Sequence, residues 1–372
     1  MMKELKQLIE LSRFYGGNPD FVIAGGGNTS FKNNDTIWIK ASGISLAGID
    51  EKGFVALSRE KLSLIETESY SEDPVRREEE VKEQMGKAIL SPVHLRPSVE
   101  TSLHNLIPFR FVVHTHPTLV NALMCANEVF PEVEQRFGKQ ALMVEYTDPG
   151  YILFKKLQER VSSFKSEHGE APRIIFLQNH GVFVGGDTPG EVKKIYADIN
   201  RQIMQGKDLT LPSVEVSPNR TELTDSLAGY FAKRSLQTLS VQCELIKHFT
   251  KDKTVLRQIS KPFTPDIIVY CKSKYLILER GVNARELSSL ILRFEHTNGY
   301  YPKVIVQEGG GITVVEENEH SLKTVLEVFL DLMKISYISE KFGGPHFMEP
   351  DQIAFIDNWE VEHYRRKVAK GQ

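Results

Sequence analysis

Two apolar runs in this chain each end in histidine: Phe111-Val-Val-His114-Thr-His116-Pro and Ile174-Ile-Phe-Leu-Gln-Asn-His180-Gly181. Short runs rich in β-branched and aromatic residues favour extended backbone. Residues two apart on a strand share a face, so His114 and His116 direct both imidazoles the same way. Gly181, directly after His180, permits a turn that carries the third imidazole to the same point. Three nitrogen ligands with one coordination position left open is the pattern of catalytic zinc. Taken alone, the same residues read equally well as two histidines on a strand face and an unrelated one in a turn.

The rest of the composition narrows the classes that can use such a cluster. Only three cysteines occur, Cys125, Cys243 and Cys271, widely spaced and odd in number, so any metal ligands are nitrogen and oxygen, and a disulfide framework is not expected. Lys plus Arg number 46 against 49 Asp plus Glu, a formal net charge of −3, which gives no basic excess for a nucleic-acid partner. The first fifteen residues mix charges with apolar side chains at helical spacing, unlike a secretory signal, and no stretch is long enough to span a membrane. A cytoplasmic protein with no membrane partner is expected. The sequons Asn28-Thr-Ser30 and Asn219-Arg-Thr221 then carry no meaning for glycosylation.

A chain of 372 residues exceeds what one core usually holds, so two domains are expected. Helices are predicted at 3–15, 78–90, 98–107 (with Ser98 as N-cap), 149–164 and 189–205. Strands are predicted at 36–40, 111–115 and 173–178, with 21–30 as a strand or extended segment running into a glycine-rich turn. Without strict strand-helix alternation this is an α/β domain with a largely antiparallel central sheet flanked by helices. The turn-rich stretch between 205 and 225 reads as an interdomain connection. The expected division is 1–210, a linker at 211–225, and 226–372. In the last part a helix is predicted at 227–249 and strands at 266–270, 275–278 and 303–306, alternating with helices at 284–293 and 320–335, as a smaller α/β domain. No repeat or low-complexity stretch stands out.

Several small-residue turns could serve the histidines. Ala24-Gly-Gly-Gly27-Asn28-Thr-Ser30 and Ala41-Ser42-Gly43 could offer N–H groups and hydroxyls to an anion, although taken alone each reads more readily as a plain turn. The first lacks both Gly-x-Gly-x-x-Gly and the Gly-Lys-Ser/Thr of a P-loop, which disfavours a nucleotide-binding oxidoreductase. Arg96-Pro-Ser98-Val99-Glu100 places a hydroxyl and helix-start amides beside a carboxylate, with His104 one turn beyond Glu100. An isolated glutamate there would simply complement the helix dipole.

Taken together and in this order, Gly27-Asn28-Thr-Ser30, Ala41-Ser42-Gly43, Pro97-Ser98-Val99-Glu100, His114-Thr-His116 and Gln178-Asn-His180-Gly181 resemble the class II aldolase/adducin family over about residues 3–205. The resemblance implies one Zn2+ per subunit held by His114, His116 and His180, with Glu100 as a catalytic base able to approach the metal. It implies that Gly27, Asn28, Ser42, Gly43 and Ser98 hold a substrate phosphate. The implied activity is reversible retro-aldol cleavage of a ketose 1-phosphate to dihydroxyacetone phosphate and an aldehyde. Epimerase, dehydratase and decarboxylase chemistry on the same scaffold are alternatives, and an adducin-like interaction module is one of another class. The implied assembly is a homo-oligomer, a tetramer by the family's pattern, with a small sugar phosphate as partner.

Beyond that region, Thr264-Pro-Asp266-Ile-Ile-Val-Tyr270, Gly309-Gly-Gly311 and Phe355-Ile-Asp-Asn-Trp359-Glu-Val-Glu362 look like the later aldolase portion of bifunctional rhamnulose-1-phosphate aldolase/alcohol dehydrogenases. The dehydrogenase part of those proteins has no counterpart, so that activity is not expected. Two departures stand out. Fuculose-1-phosphate aldolases carry a second phosphate-binding serine where this chain has Val99, and the family's tyrosine acid has no clear match, Tyr146 and Tyr151 being the nearby candidates.

Overall fold

The structure, a computed structural model, describes residues 2–358, so Trp359 to Glu362 lie outside it. The chain forms two units: residues 1–124 with 128–207, and residues 125–127 with 208 onward.

The first unit contains strands β1 (Asn28–Lys32), β2 (Thr36–Lys40), β3 (Phe54–Ser58), β4 (Ile89–Ser91), β5 (Phe111–Thr115), β6 (Ala141–Val144), β7 (Ile174–Leu177) and β8 (Gly181–Gly186). They make one eight-stranded sheet in the order β4-β3-β2-β1-β5-β8-β7-β6. Only β6 and β7 pair in parallel, so the expected mixed α/β architecture with a largely antiparallel sheet is what forms. Its helices are α1 (Lys3–Gly16), α2 (Arg59–Thr67), α3 (Pro74–Lys87), α4 (Thr101–Leu106), α5 (Thr118–Met124), α6 (Val129–Phe137), α7 (Tyr151–His168) and α8 (Pro189–Met204). The α2, α3, α4 and α7 helices close a core over one sheet face, in which Ile39, Leu57, Val112, Leu177 and Phe183 meet Leu62, Met85, Leu103 and Leu157. Burial of such side chains contributes about 1.5–3 kcal/mol each, the main force fixing the face on which His114, two residues beyond Val112, must lie.

Local chemistry moved some boundaries. Residues 21–27 are not a strand, because Ala24 and Gly27 have φ of 53° and 67°, a left-handed backbone that breaks an extended run before β1. The helix expected at 78–90 starts earlier and stops earlier. Asp73 caps it by accepting the Arg76 N–H at 2.9 Å, Pro74 opens it, and Ile89–Ser91 leaves to pair with β3. Ser98 is not an N-cap; α4 begins after Glu100, and the Ser98 carbonyl accepts the Thr101 N–H at 3.1 Å.

The second unit holds β9 (Ser217–Pro218), β10 (Gln237–Gln242), β11 (Leu276–Leu278), β12 (Val304–Gln307) and β13 (Ile312–Glu316), ordered β11-β12-β13-β10-β9. Its helices are α9 (Glu222–Ala232), α10 (Glu244–Thr250), α11 (Lys253–Leu256), α12 (Pro265–Cys271), α13 (Ala284–Asn298), α14 (Glu319–Ser339) and α15 (Pro350–Asn358). Leu227, Phe231, Leu278, Ile291 and Val315 are among the side chains of its core. The stretch 211–225 contains β9 and the first turn of α9. The single helix expected over 227–249 is instead α9, β10 and α10. The chain reverses at Ser235 (φ 58°), and the apolar residues on either side of that break had mimicked one helical period. The strand expected at 266–270 is helix α12, buried almost throughout, where the period-2 and period-3.6 signals cannot be told apart. Among the described residues no helix is long and apolar enough to cross a membrane.

Candidate metal and acid-base site

The site is assembled on three neighbouring strands, β1, β5 and β8, and on the segment entering α4. His114 is the fourth residue of β5 and stands opposite Phe183 of β8, whose ring stacks on the imidazole at 4.1 Å. The His114 ring is fully buried, and its Nδ1–H donates to the Val182 carbonyl at 3.0 Å. A carbonyl can only accept, so this bond places the proton on Nδ1 and leaves Nε2 unprotonated, the form in which an imidazole nitrogen can ligate a metal. His116 follows β5, with its Nε2 2.9 Å from that of His114.

His180 lies in the β7–β8 turn. Asn179 there takes a left-handed φ of 54°, and its N–H donates to the Met124 carbonyl at 3.2 Å. The His180 N–H closes the turn onto the Leu177 carbonyl at 3.2 Å. A Cβ on Gly181 would come within 2.5 Å of the Thr115 carbonyl oxygen and 2.7 Å of the His116 ring, so only glycine lets the turn sit this close to β5. The ligand atoms of His114, His116 and His180 all lie within 4.8 Å of one another. Three converging imidazoles, the first with its tautomer fixed, match the donor set of a zinc ion with an open position.

Glu100 stands over this cluster. Its Oε1 is 3.4 Å from His114 Nε2 and 3.6 Å from His180 Nε2. Its other oxygen, Oε2, accepts the Asn28 amide N–H at 2.5 Å. The Asn28 amide carbonyl in turn accepts Nε2–H of His104, whose Nδ1 accepts the Ser30 hydroxyl at 2.8 Å. Because Asn28 must donate to a carboxylate, its carbonyl faces His104, and that fixes the proton of the neutral imidazole on Nε2. Burial, with His114 and Lys32 adding to it, holds the His104 pKa well below the usual histidine range, so the ring stays neutral. The buried Lys32 Nζ donates to the His104 backbone carbonyl at 2.6 Å, satisfying one of the orphan carbonyls at the end of α4.

The small-residue turns lie where these groups are. Gly27 precedes Asn28 at the start of β1, and a Cβ there would meet the His114 carbonyl oxygen at 2.9 Å. The Ser42 N–H donates to Arg96 O at 2.8 Å and the Ser98 N–H to Lys40 O at 3.2 Å, which joins the 41–43 turn to the segment carrying Glu100. Gly43 supplies a positive φ of 82° to that turn. The Ser98 hydroxyl accepts the Glu100 N–H at 3.3 Å. Of the tyrosine candidates, Tyr151 packs edge-on against Tyr70 at 5.0 Å beside the apolar core, while the Tyr146 N–H donates to Gln178 Oε1 at 3.0 Å, in the turn of His180. The spacing in sequence puts His104 on the face of Glu100 but gives no sign of its bonds to Asn28 and Ser30. Its spacing from Glu100 was the available signal, and the partners on β1 come from strand pairing that one segment cannot show.

Replacing His104 by Leu is expected to strand the buried Ser30 hydroxyl and Asn28 carbonyl, costing about 1–3 kcal/mol for each orphaned atom. Urea unfolding of the variant measures this, and an unchanged midpoint would contradict the network.

Residues 6–202 match the family described as Class II Aldolase and Adducin N-terminal domain. "Uncharacterized oxidoreductase YuxG" of Bacillus subtilis is 28% identical over 195 residues, 50% of this chain; the match spans only 27% of that protein's length. Among solved structures, the N-terminal class II aldolase domain of a conserved protein from Thermoplasma acidophilum has 25% identity and a TM-score of 0.47, over 55% of this chain and 93% of that one. L-fuculose 1-phosphate aldolase from Glaciozyma antarctica has 14% identity and a TM-score of 0.35, over 54% of this chain and 70% of that one.

Proposed function

Because the chain belongs to the class II aldolase and adducin family, we propose that it is a zinc-dependent lyase that reversibly cleaves a ketose 1-phosphate, of the rhamnulose or fuculose type, to dihydroxyacetone phosphate and an aldehyde. The observation that carries this reading is Glu100, a carboxylate 3.4 Å from the His114 ligand nitrogen and held at its far oxygen by Asn28. A zinc ion held by His114, His116 and His180 would act as a Lewis acid toward the carbonyl and adjacent hydroxyl oxygens of the sugar.

The remaining work belongs to the chain's own groups. When the carbon–carbon bond breaks, its electron pair stays with the three-carbon fragment, the hydroxyl beside the bond gives up its proton as its carbon becomes the aldehyde, and Glu100, having taken up a proton in exchange with solvent, delivers one to the three-carbon fragment. In the synthetic direction Glu100 removes the same proton. Asn28, turned by His104, keeps one carboxylate oxygen occupied and so aims the other at the reacting carbon. Gly27, Asn28, Ser42, Gly43 and Ser98 would hold the phosphate. The N–H groups of Ser42 and Ser98 are already bonded to Arg96 and Lys40, which leaves their hydroxyls as the donors. Assembly as a homo-oligomer belongs to the same reading.

Zinc analysis of the purified chain and a screen of ketose 1-phosphates, read as aldehyde release, test the proposal. One zinc per chain with aldehyde released from at least one sugar is the expected result. Failure with every ketose phosphate, alongside epimerisation of a pentulose phosphate, would replace the lyase with an epimerase. Absence of stoichiometric zinc would favour a non-catalytic interaction module.

A further inference from the structure

The sheet of the second unit runs β11-β12-β13-β10-β9, and five strands of the first run β6-β7-β8-β5-β1. The correspondence extends to strand direction, since in each set the first pair is parallel and every other pair antiparallel. It also extends to register. Within the β7–β8 hairpin Ile174 faces Val184 and Phe176 faces Val182; within β12–β13 Val304 faces Val314 and Val306 faces Ile312.

Hydrogen bonds outside the ladders recur at the matching residues. Asn179 N–H donates to Met124 O at 3.2 Å, and Gly309 N–H to Thr250 O at 2.5 Å; Gln178 N–H donates to Val144 O at 3.0 Å, and Glu308 N–H to Leu278 O at 2.9 Å. The turn bond of His180 to Leu177 recurs as Gly310 to Gln307 at 3.0 Å. Helices α7 and α13, each crossing between the parallel strands, both end on a left-handed glycine, Gly169 at φ 79° and Gly299 at φ 76°. Helices α8 and α14 follow the hairpins behind the side-chain caps Thr188 and Asn318. A Cβ on Gly181 would strike Thr115 O at 2.5 Å, and one on Gly311 would strike Val241 O at 2.4 Å, the corresponding carbonyl of the corresponding strand. Topology alone could recur by chance among α/β folds, but shared register, caps and close approaches at matched positions are a far stricter agreement.

We infer that residues 217–339 are a second, reduced copy of the fold that carries the histidines, with Ser240, Gln242 and Gly310 standing where His114, His116 and His180 stand. The rung on which His114 stacks against Phe183 is the rung on which Ser240 bonds to Thr313, hydroxyl to hydroxyl at 2.8 Å. Asn219, whose N–H donates to Ser240 O at 2.9 Å, takes the place of Asn28 opposite His114, so the two sequons occupy equivalent positions. Between β1 and β5 the first unit inserts β2, β3, α2, α3, β4 and α4 and with them Glu100; between β9 and β10 the second has only α9. The second copy has therefore lost both its metal ligands and its carboxylate while keeping the backbone that presented them, so it contributes a frame and no second lyase centre. The repeat escapes sequence inspection because few identities survive, among them Gly169/Gly299, Pro172/Pro302, Ile175/Ile305 and Gly181/Gly311.

The test is to restore the ligands in the full chain. In the S240H/Q242H/G310H variant the three imidazoles should converge, since the atoms nearest a Cβ on Gly310 all belong to the flexible Gln307 side chain, the first at 2.6 Å. The expected result is one more zinc per chain than the parent binds, by metal analysis after gel filtration. The S240H/G310H pair, which joins residues distant in sequence, should also gain a zinc, of lower affinity in competition with a chelating dye. A folded triple variant with the parent's zinc content overturns the inference, and if the triple variant does not fold, absence of the extra zinc in the pair does so. The readout is a difference from the parent, so loss of zinc from the first unit's site would count against the proposed function and not against the duplication.

Discussion

Exchanging Glu100 for Gln is expected to leave zinc content unchanged and to lower aldehyde release by about 10²- to 10⁴-fold, the usual worth of a positioned acid-base group. Glutamine keeps the size of the side chain and an oxygen that can still accept from Asn28, so binding and fold are preserved while proton transfer is lost. The loss should fall on turnover more than on the apparent substrate constant, because the missing interaction belongs to the transition state. Unchanged turnover in a zinc-loaded E100Q enzyme would remove Glu100 from the mechanism. Loss of zinc together with activity would show that its main part is to hold the metal.

Truncation of Phe183 to Ala should cost about 3–5 kcal/mol, the range for a large aromatic removed from a well-packed interior. Phe183 is fully buried in the core, stacks on His114 at 4.1 Å and meets the His104 ring edge-on at 5.4 Å. The cavity would lie directly beneath His114, a proposed metal ligand, and beside the histidine that orients Asn28. The denaturation midpoint should therefore fall, and zinc should be held less tightly in the protein that remains folded. F183L, which refills part of the space, should recover most of the stability. A native-like midpoint for F183A would mean that the ring is dispensable to both core and site.

How much of this was legible in the sequence depended on whether a signal was local. The β5 strand with His114, His116 just beyond its end, and the hairpin around His180 could be read because short β-branched runs and an adjacent glycine report on themselves. The convergence of Glu100 on the histidines rested on resemblance alone, since nothing in residues 96–100 says which strands lie beneath them. The boundaries that failed are those decided by competing local signals: a positive φ at Ala24, an Asp73 cap outweighing the apolar period, and a buried helix at 265–271 whose residue types are those of a strand. The second copy was illegible for a different reason. Its matched residues keep a backbone path, and many side chains satisfy the same path.

The Nδ1–H of His114 is tied to Val182 across the sheet, and the turn of His180 is tied to Met124 and Leu177, all by bonds of the protein itself. The His114 ring and the backbone that carries His180 are thus placed by the protein alone. On the proposed reading, a cation bound there would cost little chain entropy at His114 and in the turn of His180. Backbone placement of the proposed ligands belongs to the weave of the strands, so treating a zinc-loaded protein with a chelator should leave the tertiary structure standing, ready to reload.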